Sequence, residues 1–240
     1  MLEIQQISKN FGGLKALNRI SLAVKEGDFV GLIGPNGSGK TTLFNVISGH
    51  LKSSSGRIVF DDRDITSLGS DKICRLGISR TFQIPRPFKS MSVVDNVVIS
   101  GLFGKGDKYV SEAEASRDAT ECLDFVGLKV DDYTKPSELT GAGLRKLELA
   151  RALATKPRLL LIDEFMSGLN RDEILNASLI LERIHEEMGM TIIWVEHVMA
   201  ALMKIVKKVV VLQYGEMIAE GEPLEISKDE KVIEAYFGER

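Results

Sequence analysis

Cysteine is nearly absent from this sequence. Only Cys74 and Cys122 occur, far apart and without metal-ligand spacing, which excludes a disulfide-stapled scaffold and points to a reduced, cytosolic compartment. Long apolar runs are also missing, so no stretch reads as a bilayer span and any membrane role has to come through a partner. The opening MLEIQQISKNF alternates apolar and polar residues like a first strand and lacks the apolar centre of a signal peptide. There is no excess of positive charge: the formal net charge is −3 and the isoelectric point about 5.8. That argues against a nucleic-acid partner, because phosphate contacts demand a basic face. Repeats and low-complexity tracts are absent as well. The 240 residues, 44% hydrophobic, suit one compact α/β domain with a sizeable core and room for a small subdomain.

The stretch that organises the sequence is Gly34-Pro35-Asn36-Gly37-Ser38-Gly39-Lys40-Thr41. It follows the apolar run Phe29 to Ile33 and leads through Thr42 into a helical pattern. Strand, glycine-rich loop and helix stand in the order that a phosphate-binding loop requires. Its glycines let backbone N–H groups turn toward phosphate oxygens, and the helix start adds its positive end. Lys40 is expected to reach the β- and γ-phosphates and Thr41 to place its hydroxyl on Mg²⁺, so a nucleoside triphosphate belongs here.

Leu2 to Ser8 and Ile20 to Val24 read as strands of an antiparallel flap, with Phe11-Gly12-Gly13 at a turn between them. Phe11 is open to two readings, a platform for a nucleotide base or a plain turn aromatic. Ser53 to Gly56 reads as a turn, Arg57 to Asp61 as a short strand, and Asp61 to Asp64 as a solvated turn rather than a metal site. A strand over Ile78 to Phe82 ends at Gln83, before a loop stiffened by Pro85 and Pro87. Val93 to Leu102 and Ala115 to Val126 read as helices, the second with Ala115, Ala119, Cys122 and Val126 on one face. The segment Gly104 to Asp107 links them, and together they suggest a helical insertion. Thr140 reads as the N-cap of a helix that opens with Gly141-Ala142-Gly143, either an ordinary capped start or a second anion site.

Leu159 to Ile162 has no alternation, as expected of a strand buried on both faces, and it exits into Asp163 and Glu164. In parallel sheets ligands bind at such exits, so these acids are expected beside the phosphates. Asp163 would hold Mg²⁺ and Glu164 would orient or deprotonate the attacking water. Ser167 to Asn170 reads as a turn, followed by a helix that buries Ile174, Ala177, Leu181, Ile184 and Met188. Thr191 to Val195 is a second buried strand, and it ends at Glu196-His197, where the imidazole is a candidate for the γ-phosphate or the water. Lys208 to Gln213, Glu216 to Ala219 and Asp229 to Phe237 read as a hairpin and a helix.

Taken together, the phosphate loop, Gln83, LTGAG, LLLIDE, SGLN and His197 resemble the ATP-binding subunits of ABC transporters in order and spacing. SRTFQ, DEFMSGLN, VEH and the closing VLQYGEMIAEGEPLEI and VIEAYFGE are most similar to the ATPases of branched-chain amino acid importers, although subunits that serve urea or lipopolysaccharide share much of the pattern. The resemblance implies a P-loop NTPase, RecA-like core with an N-terminal antiparallel β subdomain and an inserted α-helical subdomain. Residues 1–83 and 156–240 would form the core, and 84–155 the helical part with the signature stretch. It also implies ATP and Mg²⁺ as cofactors, Phe11 on adenine, Gln83 as a metal ligand in the loop that faces the membrane partner, and Thr140 and Gly141 presented to nucleotide. The implied partners are transmembrane permease subunits, a second ATPase subunit in a head-to-tail dimer, and indirectly an extracytoplasmic substrate-binding protein. The implied location is the cytoplasmic face of the cell membrane.

The sequence departs from the family pattern in the signature stretch and at two positions after Glu164. Where the family has Leu-Ser-Gly-Gly-Gln, this protein has Leu139-Thr140-Gly141-Ala142-Gly143, with a methyl where backbone approaches phosphate and no side-chain amide at the end. Phe165 replaces the usual proline and Asn170 the usual aspartate. Because a signature completes its partner's site, the asymmetry favours a heterodimer with a different ATPase subunit. Two other readings compete: a soluble ABC ATPase acting on nucleic acid or the ribosome, and a nucleotide switch with little turnover.

Overall fold

A computed structural model describes residues 1–104, 106 and 110–237. In sequence order it contains β1 (Leu2–Phe11), β2 (Leu14–Val24), β3 (Phe29–Ile33), α1 (Lys40–Ile47), β4 (Ser55–Phe60) and β5 (Arg63–Asp64). Then come α2 (Ser70–Arg75), β6 (Ile78–Arg80), α3 (Val93–Gly104), α4 (Glu112–Phe125), α5 (Gly141–Ala154), β7 (Leu159–Asp163) and α6 (Arg171–Met188). The last elements are β8 (Thr191–Val195), α7 (Met199–Ile205), β9 (Lys208–Gln213), β10 (Glu216–Gly221), α8 (Pro223–Ile226) and α9 (Glu230–Phe237). Two compact units result, one from Met1–Ser70 with Thr191–Arg240 and the other from Asp71–Met190.

In the first unit, β2-β1-β4-β5 form an antiparallel sheet. The strands β1 and β2 run further than alternation suggests, up to the pair Phe11 and Leu14, so that only Gly12-Gly13 makes the turn. Within the pairing, a bulge at Gln6, whose φ is 51°, resets the side-chain parity and lets both Ile4 and Ile7 face inward, and further register shifts follow at Lys9 and Asn10. The same unit holds β3 between β8 and β9, parallel to both, with β10 antiparallel at the edge of β9. Every residue of β3 is buried. Its Gly31 packs closely, since a Cβ there would lie 2.7 Å from the Leu202 side chain of α7, which would have to shift.

In the second unit, β6 and β7 pair in parallel, and α3, α4 and α5 pack against one another. Ser111 caps α4 by accepting the Glu114 N–H, which starts that helix before Ala115. Leu123, and not Cys122, completes its buried face with Ala115 and Ala119. Along α6 the buried residues are Ala177, Ile180, Leu181 and Ile184, whereas Met188 is 46% exposed because the helix ends in left-handed Gly189. The expected strand to Phe82 stops at Arg80, and α2, α7 and α8 are short helices that periodicity does not reveal. Asp61 and Asp62 form the expected turn with φ of 48° and 62°, and Asp64 is a strand residue that accepts hydrogen bonds from Thr66 and Arg57. Of the Gly104 to Asp107 link, Lys105 and Asp107 lie outside the described residues.

The start of β4 sets a local test. Gly56 has a φ of 90°, and a Cβ would lie 2.4 Å from the Gln6 carbonyl oxygen. Gly56→Ala is therefore expected to cost about 2 kcal/mol or more and to lower the melting temperature by roughly 4–8 °C, read by calorimetry. An unchanged melting temperature would contradict the bulge geometry.

Candidate functional site

The phosphate loop lies in the first unit, where Gly34 leaves β3 with a φ of 148°. A Cβ on Gly34 would sit 2.1 Å from the Leu212 carbonyl oxygen, so the loop can pass β9 only as bare backbone. Gly37 and Gly39 are also left-handed, and a Cβ on Gly39 would lie 2.7 Å from the Ala16 carbonyl oxygen. Ser38 accepts the Gly215 N–H through its backbone oxygen, at 3.0 Å. Its hydroxyl, 2% exposed, finds no hydrogen-bond partner among the described residues, and a phosphate oxygen would supply one. Buried Lys40 donates to the carbonyls of Gly34 at 2.7 Å and Pro35 at 3.0 Å. Asn36, Gly37 and Thr41 are exposed, and Pro35 and Thr42 half-buried. Phe11 is 47% exposed under the Lys9 ammonium, which lies 5.1 Å from its ring.

Two further groups belong to this unit. His197 is exposed just beyond β8, and its backbone N–H donates to the buried Glu196 carboxylate at 2.9 Å. Tyr236 of α9, which a reading for chemistry passes over, takes a hydrogen bond from the backbone of Gly34 at the entrance of the loop. Burial pushes its phenol up to about 12 against that bond.

The second unit holds the acidic residues. Asp163, 2% exposed at the end of β7, accepts from the Arg80 guanidinium at 2.7 Å, and its own N–H donates to the Thr81 hydroxyl at 3.1 Å. Glu164 is 8% exposed and adopts a left-handed φ of 48°, a strained conformation for any residue other than glycine. Its carboxylate accepts from the Gln83 amide at 2.6 Å. The structure thus brings together Glu164 and Gln83, the latter in the loop that follows β6. Arg80 is the residue sequence reasoning missed; a cation one strand away from an acid at the same sheet end was the available signal.

Thr140 caps α5 as expected, but its hydroxyl is turned to its own helix, where it accepts the Gly143 N–H at 3.1 Å. Gly141 is exposed, and a Cβ there would meet nothing within 4 Å. Phe165, at 2% exposure, fills the core where the family has proline. Asn170 caps α6 with hydrogen bonds from Asp172 and Glu173, while the Glu173 carboxylate accepts the Asn170 N–H, so the neutral amide replaces the usual carboxylate without loss of the cap.

Residues 17–167 match the ABC transporter family model. This protein belongs to the ABC transporter family. Residues 216–240 match a second model, that of the branched-chain amino acid ATP-binding cassette transporter. The probable branched-chain amino acid transport ATP-binding protein LivG of Archaeoglobus fulgidus is 39% identical, over 99% of this sequence and 95% of that protein. The high-affinity branched-chain amino acid transport ATP-binding protein BraF of Pseudomonas aeruginosa is 36% identical, over 100% of this sequence and 98% of that one. The ADP conformation of an ATP-binding cassette from an ABC transporter shares a TM-score of 0.89 and 34% identity, over 100% of this protein and 99% of that structure. A dimeric cassette in a post-hydrolysis state bound to ADP and Pi gives a TM-score of 0.84 at 27% identity, over 93% of this protein and 99% of that one. The fold is that of the ABC ATPases, and this ABC ATPase is an ATP-binding, ATP-hydrolysing cassette. No helix among the described residues is long and apolar enough to cross a membrane.

The ion pair gives a direct stability test. Arg80→Met removes the guanidinium that the buried Asp163 carboxylate accepts from, and breaking such a pair costs about 3–5 kcal/mol. Urea denaturation near neutral pH is expected to show that loss, and a change below about 1 kcal/mol would mean that the pair does not hold this end of β7.

Proposed function

We propose that this ABC ATPase energises the import of branched-chain amino acids through permease subunits in the membrane. The observation that carries the substrate class is the similarity along the full length to branched-chain amino acid transport ATP-binding proteins, together with the match at residues 216–240. In this reading residues 1–83 and 156–240 handle nucleotide, and 84–155 present the signature stretch. The protein sits peripherally on the cytoplasmic face of the cell membrane, and an extracytoplasmic binding protein reaches it only through the permeases.

The chemistry follows from the groups described. The loop from Gly34 to Thr42 binds the phosphates through backbone N–H groups, Lys40 and the Ser38 hydroxyl, and Phe11 supports the base. The hydroxyl of Thr41, the carboxylate of Asp163 and the amide oxygen of Gln83 are hard oxygen donors, few in number, as suits an ion that keeps waters and phosphates in its shell. When bound, Mg²⁺ supplies neutralisation of the phosphate charge. Glu164, oriented by Gln83, takes the proton of the attacking water, and His197 steadies the γ-phosphate.

We also infer a heterodimer. The phosphate loop and the Asp163-Glu164 pair are intact, whereas Leu139 to Gly143 departs from the family signature and the Thr140 hydroxyl is engaged with Gly143. A partner ATPase with an ordinary signature would complete the site on this subunit. Rapid hydrolysis by a homodimer of this protein would sink that inference.

Two substitutions separate binding from chemistry. Glu164→Gln should retain ATP binding and lower turnover by about 10²–10⁴-fold, the usual contribution of a general base. Lys40→Ala should instead weaken ATP binding by about tenfold or more, because a charge-assisted contact to phosphate is removed. Equilibrium binding and single-turnover assays distinguish the two, and near wild-type turnover in Glu164→Gln would place the base elsewhere.

A further inference from the structure

The helix that opens at Thr140 carries a stripe the chemistry above does not use. Arg145, Glu148 and Arg151 stand three residues apart on one face of α5, and each reaches the loop that follows β6. Arg145 donates at 3.4 Å to the carbonyl of Phe82, and Arg151 at 3.0 Å to the carbonyl of Arg86. The Arg151 guanidinium also lies 5.1 Å from the centre of the Phe88 ring. Between them Glu148, only 6% exposed, accepts a hydrogen bond from the Phe82 backbone. The residue immediately before Gln83 is therefore gripped on both its backbone polar atoms by one helix, and Gln83 is the residue that donates to Glu164 at 2.6 Å.

A buried carboxylate is an expensive way to hold one N–H, and a neutral residue at this position would avoid the desolvation cost. We propose that Glu148 is a positioning residue for hydrolysis: it fixes the backbone of Phe82 against α5, and through it the Gln83 amide that orients Glu164. Burial, opposed by the Phe82 hydrogen bond and by Arg145, Arg151 and Arg80, lifts the Glu148 carboxyl to about 7. Protonated or ionised, what the group supplies to the Phe82 N–H is an acceptor oxygen. Charge is secondary. The helix also begins with Thr140-Gly141, so the same grip ties the start of α5, where the family places its signature, to the water-activating pair.

The proposal rests on the assignment of Glu164 as the base, and the experiment keeps the two apart. Turnover and apparent ATP affinity are measured in the assembled transporter for Glu148→Gln, Glu148→Ala and Glu164→Gln. Glu148→Gln keeps the acceptor and is expected to retain kcat within about threefold. Glu148→Ala is expected to lower kcat by about tenfold or more with KM within about threefold, since a misplacement of about 1 Å at a catalytic group costs up to 10²-fold. If the alanine variant fails to fold, Glu148→Met fills the same space without an acceptor and takes its place. Turnover of Glu148→Ala or Glu148→Met within threefold of wild type overturns the proposal, and so does Glu148→Gln falling as far as they do. Both readings apply when Glu164→Gln is inactive; retained turnover in Glu164→Gln fails the base assignment instead.

Discussion

A carboxylate buried at the end of a strand must find a partner or lose its charge, and the second unit is built around that constraint. Asp163 and Glu164 leave β7 almost without exposure. Arg80 answers the first from the neighbouring strand, in register with Leu161, and Gln83 answers the second from the loop three residues later. The short run from Arg80 to Gln83 thus carries both partners. That explains why the loop is itself pinned by α5, and why a third buried acid, Glu148, is kept among arginines. The energetic gain from such pairs is small, since desolvation offsets most of the attraction. Their value lies in orientation, since each carboxylate is tied to a fixed neighbour through one oxygen.

The first unit solves the opposite problem. Its loop must hold backbone N–H groups and one hydroxyl ready for phosphate, so its residues are selected for the absence of side chains. The nearest contacts a Cβ would make at Gly34 and Gly39 are with backbone oxygens, which cannot move aside cheaply. The Gly215 N–H bond to Ser38 and the Tyr236 hydroxyl on Gly34 brace the loop from the C-terminal elements, where the match to the branched-chain amino acid cassette family begins one residue after Gly215.

Much of this was legible in the sequence, for physical reasons that differ by element. The strands β3, β7 and β8 are aliphatic without alternation because they are buried on both faces, and their exits at Gly34, Asp163 and Glu196 stand out against that background. The cap at Thr140 is local chemistry and leaves its mark in the residues themselves. What was hidden is whatever depends on neighbours. The bulge at Gln6 breaks the period of two, short α2, α7 and α8 are held by packing rather than by their own pattern, and Met188 falls past the last buried turn of α6. In the site, Gln83 and Glu164 could be named but not joined. Arg80 and Tyr236 lie inside the SRTFQ and VIEAYFGE stretches and Glu148 inside the helix after LTGAG, but their roles appear only once β6, α5 and α9 have been folded against their partners.

The central claim is that this protein turns ATP hydrolysis into transport through membrane partners. The most direct measurement is ATP turnover in proteoliposomes that contain it with its permease subunits and the second ATPase subunit, with and without an extracytoplasmic binding protein loaded with leucine, isoleucine or valine. The account predicts turnover that rises when the loaded binding protein is added and is accompanied by uptake of the amino acid. Turnover indifferent to both permeases and loaded binding protein, or ATP bound and never hydrolysed in the full assembly, would contradict it.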